Sequence, residues 1–245
     1  MTADIDGTFG YASVSPEERE RRIRHVFRSV AGRYDLMNDA MSLGIHRLWK
    51  RTLAHAAAPV TGQRIVDLAG GTGDVARLMA ASDRDVAVCD PSPEMMAVGR
   101  TRCPRTVRFV AGTAEAMPFP DSSVDTVTIA FGLRNVTRLE TALAEVLRVL
   151  VPGGRFLCLE FSRPLALLRP FYNLYSFAVI PRLGAWVAHE PAAYEYLVES
   201  IRRFPDQEAM ADLMRTAGFV NLSWSNLSFG IACLHVGTKP GGREG

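Results

Sequence analysis

The residues best equipped for chemistry are Ile65-Val66-Asp67-Leu68-Ala69-Gly70-Gly71-Thr72-Gly73, followed by Asp74. A β-branched apolar stretch ends in a turn of small residues and a helix then begins, so a ligand can approach peptide N–H groups with no Cβ in the way. The spacing lacks the wider G-x-G-x-x-G arrangement that admits a pyrophosphate, and no Lys-Ser or Lys-Thr follows as in a P-loop. The next apolar run, Val86-Ala87-Val88-Cys89, ends in Asp90, an acid placed to accept hydrogen bonds from two ribose hydroxyls. Together these residues favour an adenosine-bearing cofactor without a diphosphate, of which S-adenosylmethionine is the common one. The bland alternative is a glycine turn with an N-capping Asp, against which Asp90 and the later turns argue.

Those turns need a scaffold that gathers them. Strand patterns read at 64–68, 85–89, 107–111, 124–130 and 155–161, with helices between them at 74–81, 92–102 and 138–150. Ser15-Pro16-Glu17-Glu18 predicts a capped helix start, opening a helical arm that runs to about Ala58. Thr137-x-x-Glu140 reads as a capping box for a helix whose Leu139, Leu143, Val146 and Leu150 share one face, and Pro152-Gly153-Gly154 stops it. A β-α repeat forces parallel pairing with helices on both faces, and ligands of such sheets sit at the strands' carboxyl ends. Asp67, Asp90, Gly112-Thr113-Ala114 and Ala130-Phe131-Gly132 fall at four such ends, so four loops converge on one crevice. Beyond residue 205, a helix at 206–218 and strands at 220–227 and 231–238 joined by Ser228-Phe229-Gly230 predict a hairpin at the sheet edge. The fold class expected is α/β, a doubly wound, mostly parallel seven-stranded sheet with a C-terminal antiparallel hairpin and a helical lid.

With 245 residues, 48% apolar composition and a net charge of +2, the chain reads as one domain over 1–245. Its parts are a helical N-terminal arm (1–60), a cofactor-binding core (61–162), a lid and substrate segment (163–205) and a C-terminal helix and hairpin (206–245). Near neutrality argues against nucleic acid as the main partner, and the Arg19 to Arg24 cluster reads as a solvated helix face. Cys89, Cys103, Cys158 and Cys233 show no C-x-x-C spacing, so neither a zinc site nor a disulfide framework is expected and a reduced cytoplasmic protein fits best. Met1 to Tyr11 has no signal-peptide pattern, and charges interrupt every apolar stretch before the ~20 residues a membrane helix needs.

The chain resembles the class I S-adenosylmethionine methyltransferases and, within them, the C-methyltransferases of ubiquinone and menaquinone biosynthesis. The most specific strings are Tyr34-Asp35-Leu36-Met37-Asn38-Asp39, Gly44-Ile45-His46-Arg47-Leu48-Trp49-Lys50, Pro118-Phe119-Pro120-Asp121, Phe131-Gly132-Leu133-Arg134-Asn135-Val136-Thr137, Glu160-Phe161-Ser162 and Tyr194-Glu195-Tyr196-Leu197. The resemblance implies that Asp67, Gly71, Thr72 and Gly73 hold the methionine part of the cofactor, Asp90 its ribose, and Thr113 and Ala114 the adenine side, with Ala130 nearby. It also implies substrate contacts from Tyr34, Asn38, Arg134, Asn135, Tyr172 and Tyr194. Two positions depart from the family pattern, Thr113 where Asn is usual and Ala130 where Ser is usual. Near the end, Phe229 stands where the family carries Gly and is expected to crowd the hairpin turn.

Moving a methyl group from a sulfonium to carbon needs an electron-rich carbon, in-line geometry and no competing water. A hydroquinone supplies that carbon when one phenol loses its proton. Arg134 is expected to face the crevice and stabilise the phenolate by charge. Because a guanidinium cannot act as the base, His46, Asp35 and Asp121 are the candidates to take the proton, directly or through water. The apolar, aromatic-rich stretch 164–191 suits a lid for a prenylated quinol and contact with a membrane surface, and it equally suits core packing or a homodimer interface. Other readings keep the fold: a methyltransferase of another phenolic substrate, or a non-catalytic scaffold in a quinone-biosynthesis complex.

Overall fold

The computed structural model of the chain describes residues 8–9, 12–30, 38–39, 42, 44–165, 167 and 191–241. A small hairpin of β1 (Thr8–Phe9) and β2 (Ala12–Ser13) precedes α1 (Pro16–Val30) and α2 (Ile45–Ala57). Next come β3 (Arg64–Leu68), α3 (Asp74–Met79), β4 (Asp85–Asp90), α4 (Pro93–Arg102), β5 (Val107–Ala111) and β6 (Val124–Ala130). The chain continues through α5 (Leu139–Val149), β7 (Leu150–Phe161), α6 (Pro191–Arg203), α7 (Gln207–Ala217), β8 (Val220–Leu227) and β9 (Ala232–Thr238).

Strands β3 to β9 form one seven-stranded sheet in the order β5-β4-β3-β6-β7-β9-β8. Pairs from β5 to β7 are parallel, while β9 runs antiparallel to both β7 and β8. The chain steps outward from β3 to β5 and then returns to β6 on the other side of β3. That reversal opens a crevice at the carboxyl ends of β3 and β6, where doubly wound sheets place their ligands.

Alternate residues along a strand face opposite sides of a sheet, and β3 shows this directly. Ile65 packs with Leu53, Val75 and Met79 of α2 and α3 on one face, whereas Val66 packs with Leu143, Val146 and Met210 of α5 and α7 on the other. Phe156 and Leu143 are fully buried, each contributing about 1.5–3 kcal/mol of apolar transfer free energy.

Local signals set most helix ends. The Ser15 hydroxyl accepts the Glu18 N–H at 3.2 Å, Ser92 accepts Met95 N–H at 3.2 Å, Asp206 accepts Ala209 N–H at 3.1 Å, and Gly218 ends α7 at φ +107°. Three expectations are corrected. The Thr137–Glu140 capping box does not form, because the Thr137 and Arg138 N–H groups donate to Glu115 Oε1 at 2.9 and 3.2 Å while the Thr137 hydroxyl receives Arg19. Strand β7 begins at Leu150, since Leu150 already pairs with Val124 ahead of the glycine turn. Phe229 does not crowd the hairpin: its side chain is 68% exposed, and it adopts φ +60°, so the cost falls on the backbone.

Arg19 is the largest departure from the sequence reading. Instead of joining a solvated face it is 2% exposed, while Arg21, Arg22 and Arg24 remain outside with Glu18 and Glu20 as partners. Its Nε donates to the Thr8 carbonyl at 2.7 Å, Nη1 to the carbonyls of Asn135 and Val136 at 3.2 and 2.7 Å, and Nη2 to that of Arg134 at 3.1 Å. A planar fork of five donors suits this cluster of carbonyls, whereas an ammonium cannot span it. Arg19→Lys is therefore expected to loosen the 134–137 loop, seen as faster amide hydrogen exchange there than in β3 and β4; equal exchange in both regions would show that the clamp is dispensable.

Candidate active site

The carboxyl-end loops surround a cavity of about 310 Å³, at the small end of the range for ligand sites. Asp67, Gly70, Gly71 and Thr72 line one end, Asp90 and Met95 the next stretch, Thr113 and Ala114 a third, and Ala130, Phe131 and Asn135 a fourth. Helix α1 covers the remaining side with Glu17, Glu20 and Ile23, and Lys50 enters from α2.

The glycine turn is packed tightly against its own neighbours. A Cβ at Gly70 would stand 2.7 Å from Asp67 Oδ2, and Gly71 sits at φ +53° with Met95 Cε 3.1 Å from where its Cβ would be. Gly73 has a different task from the one expected. It lies behind the cavity, where a Cβ would meet Cys103 Sγ at 2.6 Å, and its φ of +76° leads the chain into α3.

Asp90 accepts the Gly71 N–H through Oδ2 at 2.9 Å and the Ser92 N–H through Oδ1 at 2.8 Å, so one carboxylate ties the glycine turn to the start of α4. Each oxygen keeps a further lone pair for a ligand hydroxyl. Burial raises its pKa, and the Ser92 and Gly71 N–H groups pull it back.

Asp67 is more deeply enclosed. Oδ1 accepts the Thr128 hydroxyl at 3.0 Å and Oδ2 the Ala76 N–H at 3.1 Å, and burial pushes its pKa up to about 7. Between its ordinary value of 3.8 and about 7 the folded chain holds a proton that the unfolded chain has released, so this carboxyl's contribution to stability is lost across that range and is gone above it. His46 acts with the opposite sign, its pKa being lowered to about 4, but it is neutral in both states above about 6.5. Compared with the native protein, in which His46 contributes equally, Asp67→Asn is expected to remove a fall in stability between about pH 5 and 7, checked by urea unfolding of both proteins at both values. An unchanged slope would place Asp67's titration elsewhere.

On α2, His46 is buried and hydrogen-bonds Ser42 Oγ through Nδ1 at 2.8 Å. Burial first, and then the Lys50 charge, lower its pKa to about 4, which makes it a feeble proton acceptor at neutral pH. It does not line the cavity. Asp121 is corrected outright: it precedes β6, at the amino ends of the strands, where it pairs with Arg148 and is 78% exposed. Asn38 contacts Ser42 through its carbonyl at 2.7 Å and also lies outside the cavity lining. Tyr34, Asp35 and Tyr172 lie outside the described residues, as does most of the lid stretch. Tyr194 falls in α6, with its side chain outside the description.

Arg134 does not present a lone cation to the crevice. Its side chain is 5% exposed, and Nη1 donates to Glu160 Oε1 at 2.7 Å and to the Phe131 carbonyl. The Arg134 N–H reaches Glu160 Oε2 at 3.3 Å, so backbone and side chain grip one carboxylate. Arg134 Nε has no hydrogen-bond partner among the described residues. This grip holds Phe131 at φ +57°, a conformation costing about 1–3 kcal/mol that persists only when its surroundings enforce it. The Phe131 ring packs against Phe161 at 4.7 Å and Trp49 at 6.0 Å between centroids, forming an aromatic wall. Asn135, on the cavity side of the same loop, accepts the Tyr196 hydroxyl through Oδ1 at 3.0 Å, and Tyr196 stacks on Phe9.

Glu160, Arg19 and Lys50 are thus site residues that the sequence reading did not single out. For Lys50 a signal existed, since it follows His46 by one helical turn and shares its buried face.

Residues 15–239 match the model of the ubiE/COQ5 methyltransferase family. A relative from Rubrivivax gelatinosus, a ubiquinone/menaquinone biosynthesis C-methyltransferase by name, is 66% identical over 235 residues, covering 96% of this chain and 94% of its own. The chain belongs to the ubiE/COQ5 methyltransferase family. A similarly named relative from Acidiphilium cryptum is 50% identical over 238 residues, 94% of this chain and 96% of the relative. Among solved structures, an S-adenosylmethionine-dependent methyltransferase of Thermotoga maritima superposes with a TM-score of 0.62 at 24% identity, over 89% of this chain and 99% of that one. The [4+2]-cyclase SpnF superposes at 0.61 with 18% identity, over 80% and 81% of the two chains. A cyclase on the same scaffold shows that such likeness carries the fold alone.

This methyltransferase uses S-adenosylmethionine, and its cradle fits that group. Gly71 lines the cavity beside Met95 and Asp90, where a Cβ would crowd the Met95 side chain, and Asp90 turns a buried carboxylate into the cavity with lone pairs to spare.

Proposed function

We propose that this enzyme methylates a ring carbon of a prenylated quinol, a 2-polyprenyl-6-methoxy-1,4-benzoquinol, a demethylmenaquinol, or both. The observation that carries this reading is the end-to-end identity with relatives named for that reaction. When bound, S-adenosylmethionine supplies an electrophilic methyl group. Asp67, Gly71, Thr72, Asp90, Thr113, Ala114 and Ala130 would hold it, the first three at its methionine end and Asp90 at the ribose.

The acceptor ring is proposed to lie against Phe131 and Asn135, the cavity wall that departs from the cofactor end. There the aromatic cluster of Trp49, Phe131 and Phe161 excludes water, a requirement for transfer to carbon. Arg134 locks this wall through Glu160, and because it is buried behind the cavity lining its proposed role is to position Phe131 and Asn135 rather than to meet the phenolate oxygen. With His46 held near 4 and Asp121 at the amino ends of the strands, Asp35 and water are the proposed acceptors of the phenol proton. Among the described residues no helix is long and apolar enough to cross a membrane, and the composition of 164–191 supports a lid that takes the prenyl tail from a membrane surface.

Cells lacking this protein are expected to accumulate a demethylated quinone, which mass spectrometry of the quinone pool would identify. An unaltered pool in cells with no second such enzyme would overturn the reading. The Ala130 position gives a finer test. Ala130→Ser is expected to tighten binding of S-adenosylhomocysteine by about 0.5–1.5 kcal/mol if a hydroxyl partner is missing, and calorimetry showing no gain would mean that backbone or water already serves.

A further inference from the structure

Lys50 is a charged group that the cofactor chemistry above leaves without a task. It is largely buried, with its side chain 11% exposed, and it lines the cavity. Its Nζ donates to Asp74 Oδ2 at 2.9 Å, which fixes the ammonium beside the turn Gly70–Gly73. An ammonium has three donors, and the Asp74 bond uses one.

The charge balance at this end of the cavity calls for a cation. Asp67 and Asp74 both belong to the turn region, and Asp90 stands across Gly71. An amino-acid ligand must bring its own carboxylate into that acidic corner, where an unpaired anion is strongly disfavoured. Two other cations line the cavity among the described residues, and neither is placed for this task. Arg24 is paired with Glu20 on α1, one turn from Arg28, which pairs with Glu94 beyond the Asp90 corner. Arg138 follows the β6 loop, and its charge acts on Glu17 of α1. Lys50 alone of the three is tied to the glycine turn.

We propose that Lys50 Nζ receives the α-carboxylate of the methionine moiety, with Asp74 holding the ammonium in place, and that this contact makes the enzyme select an amino-acid sulfonium. The proposal rests on the cofactor assignment and deepens it. The sequence brings this about simply: α2 packs on α3, and residue 50 of one helix meets residue 74 at the start of the other.

The test compares two ligands by calorimetry, S-adenosylmethionine and its decarboxylated form, which keeps the sulfonium and amine and lacks only the carboxylate. The native enzyme is expected to prefer the complete ligand by about tenfold or more, the range for a charged hydrogen bond. Lys50→Met should weaken the complete ligand by a similar factor. It should leave the decarboxylated one unchanged or bound more tightly, because removing Lys50 relieves its repulsion of two positive charges. Lys50→Arg should retain part of the preference. Equal binding of the two ligands by the native enzyme would overturn the role of Lys50 while leaving the cofactor assignment standing, and it decides the matter even if the Met variant does not fold. Parallel loss of both ligands in a folded Met variant would overturn it as well. Failure of the native enzyme to bind either ligand would instead overturn the cofactor site on which the proposal rests.

Discussion

Glu160→Ala is expected to destabilise the folded enzyme by about 3–5 kcal/mol, the cost of removing one partner of a buried ion pair. The reason is geometric. Glu160, with its side chain 2% exposed, accepts Arg134 Nη1 at 2.7 Å, the Arg134 N–H at 3.3 Å and the Phe161 N–H at 3.0 Å. Its removal leaves a guanidinium and two backbone donors without their acceptor, in a place that water does not reach. Arg134→Met alone should also be costly, because it leaves a buried carboxylate. The double variant should recover much of the loss, since two apolar side chains pack where two charges were held. Urea unfolding of the four proteins measures the coupling, and additive single effects would show that the pair is not a unit.

The second large effect is on the cofactor. Asp90→Ala is expected to weaken S-adenosylhomocysteine binding by about 1.5–3 kcal/mol, the range for losing hydrogen bonds to a charged group. Part of that loss comes from the ligand hydroxyls and part from the turn itself, because Asp90 also accepts the Gly71 and Ser92 N–H groups. A thermal melt without ligand separates a loosened turn from a lost contact. Unchanged affinity in a folded variant would remove Asp90 from the ribose site.

Features that depend on near neighbours in the chain were legible in the sequence. The glycine turn, the acid closing β4, the helix starts at Ser92 and Asp206 and the C-terminal hairpin follow from local backbone demands and a period of two. From the β-α repeat came the gathering of Asp67, Asp90, Thr113 and Ala130 around one cavity. Pairings between distant residues were not legible. Nothing local distinguishes Arg19 from Arg21 or Arg22, yet only Arg19 meets the carbonyls of a loop more than a hundred positions away. Likewise Arg134 looked like a free cation because its partner, Glu160, arrives on the neighbouring strand. Asp121 was misread because a short motif does not say at which end of the sheet its loop lies.

The proposed reaction moves a methyl group to a ring carbon in the crevice between β3 and β6. Purified enzyme, given S-adenosylmethionine labelled on its methyl and a reduced prenylated quinol lacking the ring methyl, tests it most directly. Label is expected on a ring carbon of the quinol. Label on a phenolic oxygen, or no transfer by an enzyme that demonstrably binds the cofactor and is offered both ring types, would contradict it.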